Sequence, residues 1–205
     1  VPQADLPPVW VGGGEFGDAL RELGAKLGAT PERGERPSAD ALCLVAPLGH
    51  DATTTALGLG LDPQRTVAVD GLFGFAKRRT LMTTPVTRPA MRDAAHALLA
   101  SDGVPVSVIH DSPGFVAQRV IAHIVNIGCD IVQQRICTPE DLDRAVALGL
   151  GYPKGPLAWG DAIGPRRILA ILEALQAFYG DPRYRPSPWL KRRAQLGVSL
   201  LHPEG

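Results

Sequence analysis

No run of apolar residues in this sequence approaches the roughly 20 needed to cross a bilayer as a helix. The N-terminus has no basic segment followed by an apolar one, so no signal peptide is legible. Cysteine is scarce and odd in number. Cys43, Cys129 and Cys137 have no metal-ligand spacing, which argues against a disulfide scaffold or a thiolate zinc site and for reduced thiols in a cytoplasmic protein. Charge of one sign is also missing. The 21 basic and 21 acidic residues cancel, so no broad basic face for nucleic acid is implied. No internal repeat is evident. Histidine is absent between His50 and His96, so no imidazole base lies in that stretch.

What is present suits a globular chain. At 45% hydrophobic it can bury a core, and 23 glycines with 19 prolines stay below the level of low complexity. Residue 1 is Val, and Pro2, Pro7 and Pro8 make the opening linker-like, so a segment of a longer polypeptide is expected.

The first half alternates short apolar runs with helical spacing. Pro8 to Val11 reads as a strand, Gly12-Gly-Gly-Glu-Phe-Gly17 as a turn, and Asp18 to Leu27 as a helix burying Leu20, Leu23 and Leu27. Gly12, Gly14 and Gly17 fit G-x-G-x-x-G between strand and helix, where such glycines let a pyrophosphate approach the helix N-terminus. Two features oppose cofactor binding. Glu15 places negative charge in the turn, and residues 30–37, which contain the candidate ribose acids Glu32 and Glu35, have almost no strand formers. Ala39 to Ala46 is a continuous apolar run, as in buried parallel sheets. Asp51 or Thr53 is expected to cap a short helix through Leu57. Thr66 to Val69 reads as a strand, Gly71 to Pro85 as irregular, Pro89 to Ala100 as a helix and Val104 to Ile109 as the last strand. At about 110 residues this α/β part is shorter than a full two-lobed dinucleotide fold.

After Asp111 the chain reads as helical. Ser112 as N-cap and Pro113 as first residue are expected to open a helix over 114–136, apolar on more than one face from Phe115 to Val132. Thr138 and Pro139 start a second helix, which Gly149 and Gly151 end. A third is predicted over 163–179, with Ile168, Leu169, Leu172, Leu175 and Phe178 inward. Ser187 and Pro188 start a fourth through about Leu196.

Four ordered motifs in this half carry a resemblance: Asp111-Ser-Pro-Gly-Phe-Val-Ala-Gln-Arg119, Thr138-Pro-Glu-Asp-Leu-Asp143, Gly151-Tyr-Pro-Lys-Gly-Pro156 with Gly160-Asp-Ala-Ile-Gly164, and Gly180 to Leu190 with its Arg-Pro-Ser-Pro. Together they resemble the 3-hydroxyacyl-CoA dehydrogenase family. The resemblance implies a shortened Rossmann-like α/β unit over residues 1–110. It also implies an all-α domain over 111–205, of the 6-phosphogluconate/3-hydroxyacyl-CoA dehydrogenase C-terminal type. The family's Gly-Lys-Thr-Gly-x-Gly-Phe-Tyr tail is replaced here by Gly197 to Gly205. The segments 78–85 and 156–161 look like those of longer bacterial members with a second C-terminal unit, some linked to fatty-acid or phenylacetate breakdown.

The family implies a catalytic His–Glu dyad, a substrate-contacting Ser and an Asn. Ungapped counting puts the His position on Gly71, with Asp70, Leu72 or Phe73 at neighbouring registers. The Glu position falls on Thr80, the Ser position near His50 and the Asn on Gln118. No imidazole base is available in that loop. His50 is the one candidate that could replace it, though an exposed loop residue is the simpler reading. His123 reads as packed on its helix. The basic residues Lys77, Arg78, Arg79, Arg183, Arg185, Lys191, Arg192 and Arg193 read as solvated faces before they read as coenzyme A contacts.

Three functions therefore compete. One is NAD-dependent oxidation of a 3-hydroxyacyl-CoA within this chain, using His50. Another is a non-catalytic structural and homodimer-forming module of such an enzyme, which the missing dyad favours. The third is a dinucleotide- or CoA-binding module. No nucleic acid, membrane or metal partner is implied.

Overall fold

A computed structural model describes residues 6–204; residues 1–5 of the linker-like opening and Gly205 lie outside them. The chain divides into two compact units, the first ending at Phe115 and the second starting at Val116.

The first unit is a five-stranded sheet with strands in sequential order. Strands β1 (Val9–Val11), β2 (Leu42–Val45) and β3 (Thr66–Val69) run parallel. The crossovers carry helices α1 (Gly17–Lys26) and α2 (Ala52–Gly58). The stretch expected to be irregular contains a strand, β4 (Arg79–Thr83), which turns back antiparallel to β3. Its Arg-Thr-Leu-Met-Thr sequence hides among loop residues, and partnership on both sides makes it a strand. Helix α3 (Pro89–Ala100) then leads to β5 (Val106–His110), parallel to β4.

Alternation along the strands sorts side chains onto two buried faces. Val9, Val11, Leu42, Leu44, Val67, Val69 and Leu81 meet Leu20 of α1 and Ala95, Leu98 and Leu99 of α3. Trp10, Cys43, Val45, Ala68 and Met82 meet Ala52 and Ala56 of α2, and Phe115. Burial pushes the Cys43 thiol up, keeping it protonated and inert. At the edge of β1, where the poor strand formers of 30–37 lie, a single isolated bridge is present among the described residues, Val9 to Pro31.

The second unit is helical: α4 (Ala117–Gln133), α5 (Pro139–Leu150), α6 (Pro156–Ile163), α7 (Pro165–Tyr179) and α8 (Pro188–Leu196). Four expectations need correction. Ser112 and Pro113 do not open α4. Phe115 takes a left-handed conformation, φ 48°, that interrupts the turn, and the helix begins at Ala117. Gly149 lies inside α5, and Gly151, at φ 66°, ends it. The expected 163–179 helix is α7, with a separate α6 before it, broken at Gly164, φ 109°. Phe178 is exposed; Ile171, two turns earlier along α7, takes an inward place that was not expected.

Glycine lets the helices approach. A methyl on Gly128 of α4 would lie 2.8 Å from Pro156 Cβ, and one on Gly160 of α6 would lie 2.7 Å from Val125 Cγ1. Eight of the 17 residues of α4 are buried. Val116 and, on α4, Val120 and Ile127 are not, at 59%, 52% and 48% exposure. With half-exposed Ile124 and Ile131 they form one apolar stripe at helical spacing.

Candidate functional site

Parallel pairing puts the C-terminal ends of β1, β2 and β3 on one edge of the sheet, the edge where such folds bind ligands. The glycine turn follows β1, the loop with His50 follows β2, and Gly71 follows β3.

The glycines are held by the fold. A methyl on Gly17 would collide with the Gly12 carbonyl, and one on Gly12 would sit 3.1 Å from Val45 Cγ1. Gly14 adopts φ 106°, where side chains are strained, with open space before it. Phe16 occupies the N-cap of α1 with no side-chain cap, and its ring is buried. Glu15 is exposed in the turn, and Asp18, in the first helical turn, pairs with Arg21 at 2.5 Å. Glu32, at ribose distance in sequence, is engaged elsewhere. Its carboxylate accepts from the Ser38 amide (2.9 Å) and hydroxyl (2.5 Å), which hold its pKa below the usual range. A dinucleotide does not fit this arrangement. Two carboxylates flank the helix N-terminus, and of the two acids at ribose distance in sequence Glu32 is tied to its own loop while Glu35 is exposed.

Gly71 and Thr80, the positions reached by counting, lie close together, and neither is an acid or a base. Asp70 donates its amide to the Thr80 carbonyl at 3.0 Å, so Gly71 and Thr80 share the base of the β3–β4 turn. A side chain at Gly71 would point inward, its Cβ 2.6 Å from Phe16 Cγ. The half-exposed Asp70 is the polar group at the strand end, and its Oδ1 accepts from the Leu72 amide at 3.1 Å, an Asx-type turn. His50 is exposed in the β2–α2 loop, its carbonyl accepting from the Gly114 amide at 3.4 Å. Gln118 lies in the second unit, fully buried in the first turn of α4. Among the described residues no cluster of His, Cys, Asp or Glu could hold a metal.

Phe16 is not among the residues the sequence singles out, and no local signal links it to Gly71, 55 positions later. Nor does the sequence show what the junction aspartate does. Asp111 accepts from the Ala52 amide at 2.8 Å and from the Thr53 amide and hydroxyl, tying the end of β5 to the start of α2. Asp51 caps the same helix through the Thr54 amide. Asp111 and Phe115 of the junction motif are thus architectural.

The helical motifs resolve in the same way. Asp143 of α5 accepts from the Leu157 and Ala158 amides (2.8 and 2.7 Å) and so caps α6. Any side chain at Gly155 would collide with Asp143, which is why Gly precedes Pro156. Buried Asn126 reads the Arg-Pro-Ser-Pro segment on both sides, donating to the Arg185 carbonyl (2.9 Å) and accepting from the Ser187 amide (2.8 Å). Asp161 accepts from the Leu200 amide at 2.7 Å, and Arg193 donates twice to the His202 carbonyl while covering the Trp189 ring. The tail that departs from the family pattern is thereby pinned to the helices.

Residues 114–199 match the family described as 3-hydroxyacyl-CoA dehydrogenase, C-terminal domain. This half of the chain, which carries the four motifs, is therefore similar to that family's C-terminal domain. It is 36% identical over 157 residues to 3-hydroxyadipyl-CoA dehydrogenase of Escherichia coli, covering 77% of this chain and 32% of that protein. It is 40% identical over 97 residues to 3-hydroxybutyryl-CoA dehydrogenase of Clostridioides difficile, covering 46% and 34%. Among solved structures, a 3-hydroxybutyryl-CoA dehydrogenase from Escherichia coli aligns with TM-score 0.66 and 37% identity, over 75% of this chain and 31% of that one. An (S)-3-hydroxybutyryl-CoA dehydrogenase from Ralstonia eutropha aligns at TM-score 0.72 and 21% identity, over 92% and 65%, a likeness of fold. The chain spans about a third of the curated relatives it matches. Its fold is a shortened Rossmann-like sheet followed by the family's helical domain.

Proposed function

We propose that this chain is a non-catalytic module of an NAD-dependent 3-hydroxyacyl-CoA dehydrogenase, completing the acyl-CoA cleft of a catalytic portion elsewhere in the enzyme. The observation that carries this reading is the contrast between the two units. The helical unit keeps its family motifs in working structural roles. The α/β unit has no imidazole at the end of β3, where a base would remove the 3-hydroxyl proton, and the side chain there is Asp70 folded onto its own turn. A positioned base contributes typically about a hundred- to ten-thousand-fold. Asp70, Thr80 and Gln118 supply no such group, and His50 would have to leave its exposed loop to do so.

We further propose a homodimer formed through the helical unit. The stripe of Val116, Val120, Ile124, Ile127 and Ile131 is the kind of contiguous apolar surface that marks an interface.

The test is NADH formation from 3-hydroxybutyryl-CoA and NAD by the purified chain and by His50→Ala, alongside light scattering. The expected result is no turnover above background and a dimer at tens of micromolar. Robust turnover lost in His50→Ala would overturn the non-catalytic reading; a monomer would remove the assembly.

A further inference from the structure

The glycine turn poses a question of its own: why a unit that does not fit a dinucleotide keeps the fingerprint of one. Beside the turn runs a groove of about 830 Å³, bordered by Val11, Gly13, Asp18, Glu22, Glu32 and Glu35, with Arg21 and Arg33 as its basic members. We propose that this α/β unit is a dinucleotide fold that rejects dinucleotides, and that its glycines are retained for packing alone.

Three independent observations support this. The first is steric necessity without a ligand. Gly17 is glycine because a methyl would strike the Gly12 carbonyl, and a methyl on Gly12 would press on Val45 Cγ1 at 3.1 Å. Both constraints come from strand–helix contact. The second is charge. A pyrophosphate seeks a helix N-terminus because its free amides and dipole are positive. Here Glu15 and Asp18 already sit there, and the groove's four acids outnumber its two arginines. The third is the outer edge of β1, where a second strand would carry the ribose acid. The 31–34 segment lies there as an isolated bridge and not a strand, with the Glu32 amide donating to the Val9 carbonyl (2.8 Å) and Trp10 Nε1 to the Gly34 carbonyl (2.9 Å). Glu32 is held by Ser38 within that segment.

The inference stands apart from the acyl-CoA reading: NADH bound tightly without turnover would sink it and leave that reading intact. The experiment is calorimetric titration of the full chain with NADH and with ADP, and of Glu15→Gln/Asp18→Asn with ADP. Wild type is expected to show no saturable binding below millimolar. Like charge at a helix N-terminus is worth about two- to fivefold per residue in anion affinity, so the neutralised variant should bind ADP about tenfold better than wild type. A low-micromolar dissociation constant for wild type, or no gain in the variant, overturns the proposal. Gly17→Ala supplies a readout free of ligand: its melting temperature must fall in the absence of any nucleotide, and an unchanged value refutes the packing role. Should Gly17→Ala not accumulate in folded form, Gly12→Ala, which presses on Val45 inside the packed core of Trp10 and Cys43, takes its place with a smaller fall in the same direction.

Discussion

Gly71 and Phe16 form a pair whose energetics can be worked out atom by atom. A methyl at Gly71 would stand 2.6 Å from Phe16 Cγ, 2.7 Å from its Cβ and 3.0 Å from Cδ2. Carbon atoms prefer separations of about 3.5–4.0 Å, so Phe16 would have to retreat by about 1 Å. It cannot do so freely, because it is the N-cap of α1 and its ring is packed in the core. Overpacking of this kind costs about 1–3 kcal/mol, and Gly71→Ala should fall in that range. Phe16→Ala removes a buried ring and should cost about 3–5 kcal/mol. In the double variant the new methyl enters the space the ring has left. Its cost should fall short of the sum by about 1–2 kcal/mol, well beyond the roughly 0.5 kcal/mol scatter of independent sites. Hydrogen exchange of the β1–β3 amides, read in the regime where protection reports free energy, isolates this unit from the helical one. Additive costs, or a neutral Gly71→Ala, would refute the reasoning. The same geometry means that Gly71→His alone installs no base at the sheet edge, because its imidazole would start out facing Phe16 and the core.

Other perturbations probe the helical unit and the charge network. Gly155→Ala should destabilise the chain by about 3 kcal/mol or more, as overpacking against Asp143 combines with a weakened cap of α6; a melting temperature within a degree or two of wild type would contradict this. Arg79 is buried and binds Asp102 through two 2.7 Å contacts, which hold the Asp102 carboxyl at about 2. Because this folded-state pKa is depressed, the stabilisation is complete above the unfolded value of about 3.9 and is lost as pH falls towards 2. The gap in urea midpoint between wild type and Asp102→Asn should therefore be constant above pH 5 and shrink between about pH 4 and 2; a gap unchanged at pH 2 would count against the linkage. Ile127→Glu places a charge in the middle of the exposed α4 stripe and should convert the proposed dimer to monomer without loss of helical circular dichroism, as checked by light scattering.

Much of this architecture was legible in the order of the residues. Apolar runs marked β1, β2, β3 and β5, and helical spacing marked α1, α3 and α7, because burial and local geometry set those patterns. Proline and glycine marked ends, as at Thr138-Pro139 and Gly151, because their dihedral preferences act locally. The four motifs of the helical half marked the family for the same reason: each is a short run with a fixed structural job. What the sequence could not determine was anything set by partners far along the chain. Strand β4 exists because β3 and β5 flank it. Helix α4 starts four residues later than its proline suggests, because Phe115 is drawn into the sheet's core at a left-handed backbone angle. Asp111, Asp143 and Asn126 look alike as polar residues near helix ends, and only tertiary structure showed which backbone groups each one serves. The direction of Gly71 was decided in the same way. Counting put the base position on Gly71, two residues past the end of β3, but which neighbour faces the core depends on the pleat of the strand and on Phe16, 55 positions earlier.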